Sequence, residues 1–186
     1  PNQFPLIRER VAAALVGTGE NNTRIVFSKA LRHPNEHVRQ LACLGLGAIG
    51  DERAVDELLA LMEDPVADVQ LAAGLALGAI GTETALEGMV YAFTEGSEQL
   101  RQAIAEALAA IPEEGYPVLY DAIQHEDIKL RRAAVFGLRR VPTNWALVAL
   151  YRVSLEDDQW YVRSAAEGAF QDMRLSEVSG GVQPYP

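Results

Sequence analysis

Apolar residues return along this chain in steps of three and four, arranged as two alternating stripes. Val38, Ala42, Leu46 and Ile49 are spaced four, four and three apart, which places them on one face of an α-helix. Leu15, Leu46, Leu77, Leu108, Leu138 and Phe170 fall at one equivalent position, and Ile49, Ile80, Ile111, Val141 and Met173 at another. Small residues keep pace beside them at Ala14, Gly45, Ala76, Ala107, Gly137 and Ala169, which predicts close helix contact along that edge. A second stripe precedes each copy: Val55, Leu58, Leu59 and Met62 in one, Leu86, Met89, Val90 and Phe93 in the next. His33-Pro34 and Asp64-Pro65 break the chain between the two stripes, and Gly50, Gly81, Pro112 and Pro142 stop the helix that follows.

The segment Val38-Arg39-Gln40-Leu41-Ala42 returns at Val69, Leu100, Leu130 and Val162, at spacings of 31, 31, 30 and 32 residues. Ile7-Arg8-Glu9-Arg10-Val11 fits one period earlier. Such a period defines a repeat array, here of helical hairpins about 31 residues long. The reading gives a half repeat at 5–19 and five hairpins at 20–50, 51–81, 82–112, 113–142 and 143–174, about eleven helices in all. A hairpin this short cannot bury both its faces alone, so neighbours must stack into a curved, all-α solenoid. Residues 1–174 form one array, and 175–186, with Ser179-Gly180-Gly181 and Pro184-Tyr185-Pro186, read as a flexible tail or linker. The chain opens in mid-repeat and without methionine, which reads as part of a longer chain.

Charge changes the picture of partners, not of fold. The 186 residues carry 16 Lys+Arg against 26 Asp+Glu, a formal charge of −10, which is the wrong sign for a general nucleic-acid binder. The charge is segregated: 51–127 hold two Arg against seventeen acids, whereas 128–140 hold five cations and no acid. No apolar run suggests a membrane span and no signal peptide is visible, so a cytoplasmic location is expected.

Candidate chemistry is sparse. Metal sites need several converging donors, and His33, Glu36 and His37 flank Pro34, which breaks the helix that would align them. The single cysteine, Cys43, sits where other repeats carry Ala12, Gly74, Ala105, Val135 and Glu167, and it reads as a small buried side chain. The acid pairs Glu113-Glu114 and Asp157-Asp158 fall at turns and read as helix-start acids. No catalytic, metal or cofactor residue is assigned, and no enzyme activity is expected.

The phrase V-R-x-x-A-x-x-x-L-G-x-I-G at 38–50 resembles HEAT repeats, particularly the phycobilisome-lyase-type HEAT-like repeats, and the resemblance runs over about 5–174. It implies a right-handed α-solenoid. It also implies a ladder in which a turn acid pairs with an arginine of the neighbouring repeat. The arginine positions are Arg8, Arg39, Arg101, Arg131 and Arg163, with Gln70 the exception; six residues before the last five stand His33, Asp64, Glu95, His125 and Asp157, so the histidines should weaken two rungs. His125-Glu126 is similar to one His-Glu pair of the HEAT-repeat deoxyhypusine hydroxylases, which need several such pairs.

The resemblance further implies that second helices line a concave groove. The groove residues expected are Glu36, His37, Gln40, Leu41, Leu44, Leu71, Leu75, Gln102, Glu106, Arg132, Phe136, Arg140, Trp160 and Tyr161. Leu41, Leu44, Leu71 and Leu75 should form an exposed aliphatic patch, and Arg132, Phe136 and Arg140, with Trp160 and Tyr161, a cationic-aromatic one, separated by Glu98 and Glu106. A non-catalytic scaffold gripping a protein or peptide follows; the alternative is a bilin lyase or chaperone, implied by the repeat subtype alone. Leu44→Asp with Leu75→Asp is expected to abolish capture while leaving helicity intact.

Overall fold

A computed structural model describes residues 20–179, with side chains over 23–175. The expected half repeat at 5–19 lies outside the described residues. Within them the chain forms ten α-helices and no strand: α1 Glu20–Ala30, α2 Glu36–Ile49, α3 Val55–Ala60, α4 Ala67–Ile80, α5 Glu83–Glu95, α6 Glu98–Leu108, α7 Pro112–Ala122, α8 Ile128–Leu138, α9 Asn144–Glu156 and α10 Trp160–Ser179. Single 3₁₀ turns flank the short α3, at Glu52–Ala54 and Leu61–Glu63.

Local chemistry fixes where these helices begin and end. Thr82, Ser97 and Thr143 accept the backbone N–H of Ala85, Leu100 and Ala146 through their hydroxyls, satisfying orphan donors of the first turn. Gly50 and Gly81 close α2 and α4 in the left-handed conformation, at φ 71° and 68°, where a Cβ is costly. Pro112, read from sequence as a stop, is the first residue of α7, where a missing N–H costs nothing. The last helix runs on to Ser179, past the expected boundary at 174, because no breaker occurs before Gly180-Gly181.

The helices pair as five hairpins whose second members, α2, α4, α6, α8 and α10, stack on one another in chain order. The first members touch one another far less. A crowded layer beside a spaced one bends the array, with the second helices on the inner, concave side. Leu46, Leu77, Leu108 and Leu138 are sealed between the layers, and Leu58, Met89, Leu119 and Leu150 meet them from the first helices.

Close approach within the inner layer explains its small residues. A Cβ on Gly137 would stand 2.6 Å from the Ala105 carbonyl oxygen of α6, and one on Gly47 2.6 Å from the Ala76 Cα of α4. Gly168 on α10 has nothing within 4 Å. Two substitutions of the same kind should therefore move stability in opposite directions. Gly168→Ala is expected to stabilise by about 0.5–1 kcal/mol through helix propensity, and Gly137→Ala to destabilise by about 1–3 kcal/mol through overpacking. Paired urea unfolding curves check both signs.

Arginines fasten the joints. Arg39 donates from Nε and Nη2 to both carboxylate oxygens of Asp64 at 2.8 and 2.9 Å, and from Nη1 to the His33 and Pro34 carbonyls of its own turn. Arg131 repeats this with Asp157 at 2.8 and 3.1 Å and with the His125 and Glu126 carbonyls. Arg101 reaches Asp127 at 3.0 Å. The weak rung expected at His125 is thus corrected: the acid has moved two residues on, to Asp127. His33 and His125 keep the turn acid's other duty, each Nδ1 accepting the N–H two residues later, as Asp64 and Asp157 do through a carboxylate oxygen. Gln70 makes no charged rung and instead donates to the Asp64 carbonyl at 2.8 Å.

Candidate functional site

The inner face is laid out by five second helices, each presenting the residues around its Val-Arg or Leu-Arg signature. On α2, His37 and Leu41 are exposed and Glu36 and Gln40 partly so, but Leu44 is only 6% exposed. On α4, Leu71 and Leu75 are half-buried against the core. The expected aliphatic patch is therefore corrected. Leu44 faces inward and belongs to the packing between layers, so of the four leucines Leu41, at 55% exposure, is the one that stands clear. Sequence spacing alone could not separate a groove position from one a neighbouring hairpin covers.

The cationic-aromatic end is present, with its charges already engaged. Arg132 on α8 reaches Glu98 of α6 at 2.5 Å, and Glu106 receives both Arg139 and Arg140 at 3.4 and 3.3 Å. Glu98 and Glu106 therefore do not divide the groove into two ends; they tie α8 to α6. The Arg139 guanidinium also lies 5.6 Å from the centre of the Phe136 ring. Between α6, α8 and α10 a shallow cleft of about 280 Å³ is lined by Glu98, Gln102, Ile128, Lys129, Arg132, Ala133 and Tyr161. The Lys129 ammonium makes no ion pair among the described residues. Trp160, 70% exposed, stands edge-on to half-buried Tyr161 with ring centres 5.9 Å apart.

Cys43 is fully buried, and burial pushes its thiol up to about 12, so the thiolate nucleophile is suppressed. Its alkylation by iodoacetamide at pH 8 should proceed only as fast as the protein opens; modification as rapid as that of a free thiol would refute this. Among the described residues no group of three or more His, Cys, Asp or Glu is placed to hold a metal ion, and no helix is long and apolar enough to cross a membrane.

Sequence reasoning missed the outer face. Tyr116 and Tyr120 on α7 both pack edge-on against Trp145 of α9, each 5.8 Å between ring centres. Pro112, Pro117 and Asp121 complete a second cleft there. No signal in the sequence sets these rings apart: Tyr120 follows fully buried Leu119 on α7 just as Val90 follows Met89 on α5.

Comparison with known proteins agrees with the architecture. The family model described as HEAT repeats matches residues 2–78, 26–109 and 86–171, which together span most of the chain. The protein belongs to the HEAT-repeat family. The match is to the repeat as such and carries no subtype. Among solved structures, human deoxyhypusine hydroxylase in complex with glycerol aligns at 19% identity with a TM-score of 0.43, over 94% of this chain and 81% of that one. A likeness at that level carries no argument about activity. No curated protein sequence matches.

Proposed function

We propose that this helical repeat scaffold is a non-catalytic interaction module that binds an acidic peptide segment on its inner face, at the cleft between α6, α8 and α10. The observation that carries the reading is the exposed Trp160 beside Tyr161, at a cleft walled by Lys129 and Arg132. Aromatic and arginine side chains are the anchors that interfaces favour, and Trp160, 70% exposed, is available as one. Arg132 spends one nitrogen on Glu98, which leaves donors of its guanidinium fork for a ligand carboxylate. The stretch 128–140 is the one block of the chain with five cations and no acid, so an acidic segment is steered there and repelled from 51–127.

The test is fluorescence anisotropy with a labelled peptide of alternating glutamate and leucine. Binding should weaken by about tenfold in Trp160→Ala and again in Arg132→Glu, and should fall as salt rises. Affinity equal in the wild type and both variants would overturn the reading.

A further inference from the structure

The outer face carries a site of opposite character. Where α7 and α9 stand apart, Tyr116, Tyr120 and Trp145 wall a cleft completed by Pro112, Pro117 and Asp121. Tyr116 and Tyr120 are four residues apart on one helix face, and each makes a T-shaped contact with Trp145, at interplanar angles of 62° and 75°. Packing does not account for the whole arrangement, because Tyr120 is 50% exposed. Nor does helix chemistry, since Pro117 sits inside α7, where it forfeits the N–H that would bond the Glu113 carbonyl one turn back. Functional or strained sites are where a chain breaks such local rules.

We infer that this cleft binds a proline-rich, extended peptide segment with basic residues beside its prolines. A polyproline II helix is stiff before it binds, and its pyrrolidine rings pack on aromatic side chains that line a groove, which Tyr116, Tyr120 and Trp145 supply here. Charge selects the flank. Asp121 lines the cleft, Glu113 and Glu114 stand exposed on the first turn of α7, α7 holds no cation, and Arg152 of α9, the cation near Tyr120, is paired with Glu156 at 2.7 Å. Arginine or lysine next to the prolines meets those carboxylates in water, which sets orientation and encounter rate. The inner face selects an acidic segment and the outer face a basic one, so one copy can hold both.

The experiment uses the full chain and a fluorescein-labelled Arg-Lys-Pro-Ala-Pro-Pro-Ala-Pro peptide. Two controls accompany it: one with Glu-Asp in place of Arg-Lys, the other with every proline replaced by alanine. Anisotropy is read alongside Trp145 emission in a Trp160→Phe background, since the chain has two tryptophans. Saturable binding to the basic proline peptide is expected, with a shift in Trp145 emission. Tyr120→Ala should weaken it about tenfold. Asp121→Lys, an exposed change that leaves the aromatic wall intact, should abolish the preference over the Glu-Asp peptide. Circular dichroism of each variant confirms that the helices persist. Three results would overturn the inference: no binding, equal binding of the alanine control, or affinity indifferent to both substitutions. Concentration-dependent dimerisation that Tyr120→Ala abolishes, without peptide binding, would also overturn it by making a second copy the occupant.

Discussion

Arg131→Ala is expected to lower unfolding free energy by about 2–3 kcal/mol, a fall of about 5–10 °C in Tm for a domain of this size. The guanidinium grips both oxygens of Asp157, reaches Asp158 and caps two turn carbonyls, so its loss strands several partners together. The Asp157 side chain is only 4% exposed, and an unpaired carboxylate there costs more than the pair is worth intact. Arg131→Lys should recover only part of the loss, because an ammonium cannot make the two parallel hydrogen bonds. Acid should reveal the same rung. Burial pushes the Asp157 carboxyl up, but the Arg131 hydrogen bonds, the Gln159 N–H and the Arg131 charge together hold it below its ordinary 3.8. The Lys129 backbone N–H and then Arg101 hold Asp127 down likewise, against some burial. A depressed carboxyl contributes stability that is present above its unfolded pKa and is lost as pH falls through the folded one. The gap between wild type and Asp157→Asn should therefore close as pH drops from about 5 toward 2, and a gap independent of pH would refute the assignment.

Leu44→Asp should be still more damaging, by about 3–5 kcal/mol, because a carboxylate at a 6%-exposed site between layers has neither water nor a cation to meet. Leu41→Asp, three residues earlier on the same helix and 55% exposed, should change stability by less than about 0.5 kcal/mol. Chemical denaturation of the two single variants separates core from groove. Equal losses would mean that Leu41 is covered as well. Coupling Leu44→Asp to Leu75→Asp thus reports folding rather than capture, the reverse of what the sequence pattern suggests.

The contrast between Leu41 and Leu44 marks how far the sequence carries. Periodicity at 30 to 32 residues is produced by stacking itself, so the hairpins, their order and the sealed leucines at 46, 77, 108 and 138 could be read directly from it. The arginine ladder could be read too, except where Asp127 took over from the position of His125, since capping a turn and neutralising an arginine are separable duties. The inner face was legible only in outline. Whether a leucine beside the stripe is wet depends on the lean of the next hairpin, and whether Arg132 is free depends on Glu98, 34 residues away. The outer aromatic cleft escaped because Tyr116, Tyr120 and Trp145 sit within an ordinary helical pattern; only the spacing between α7 and α9 turns them into a wall.

The uneven layers give the molecule an elastic character. Helices that touch along the inside and stand apart on the outside form a leaf spring: closing the arc drives α2, α4, α6, α8 and α10 into hard contact, whereas straightening it strains comparatively little. At the joint of the second and third hairpins Gln70 stands in the arginine's place, so among the described residues the ladder supplies no ion pair there and the stacking of α4 on α6 carries the joint.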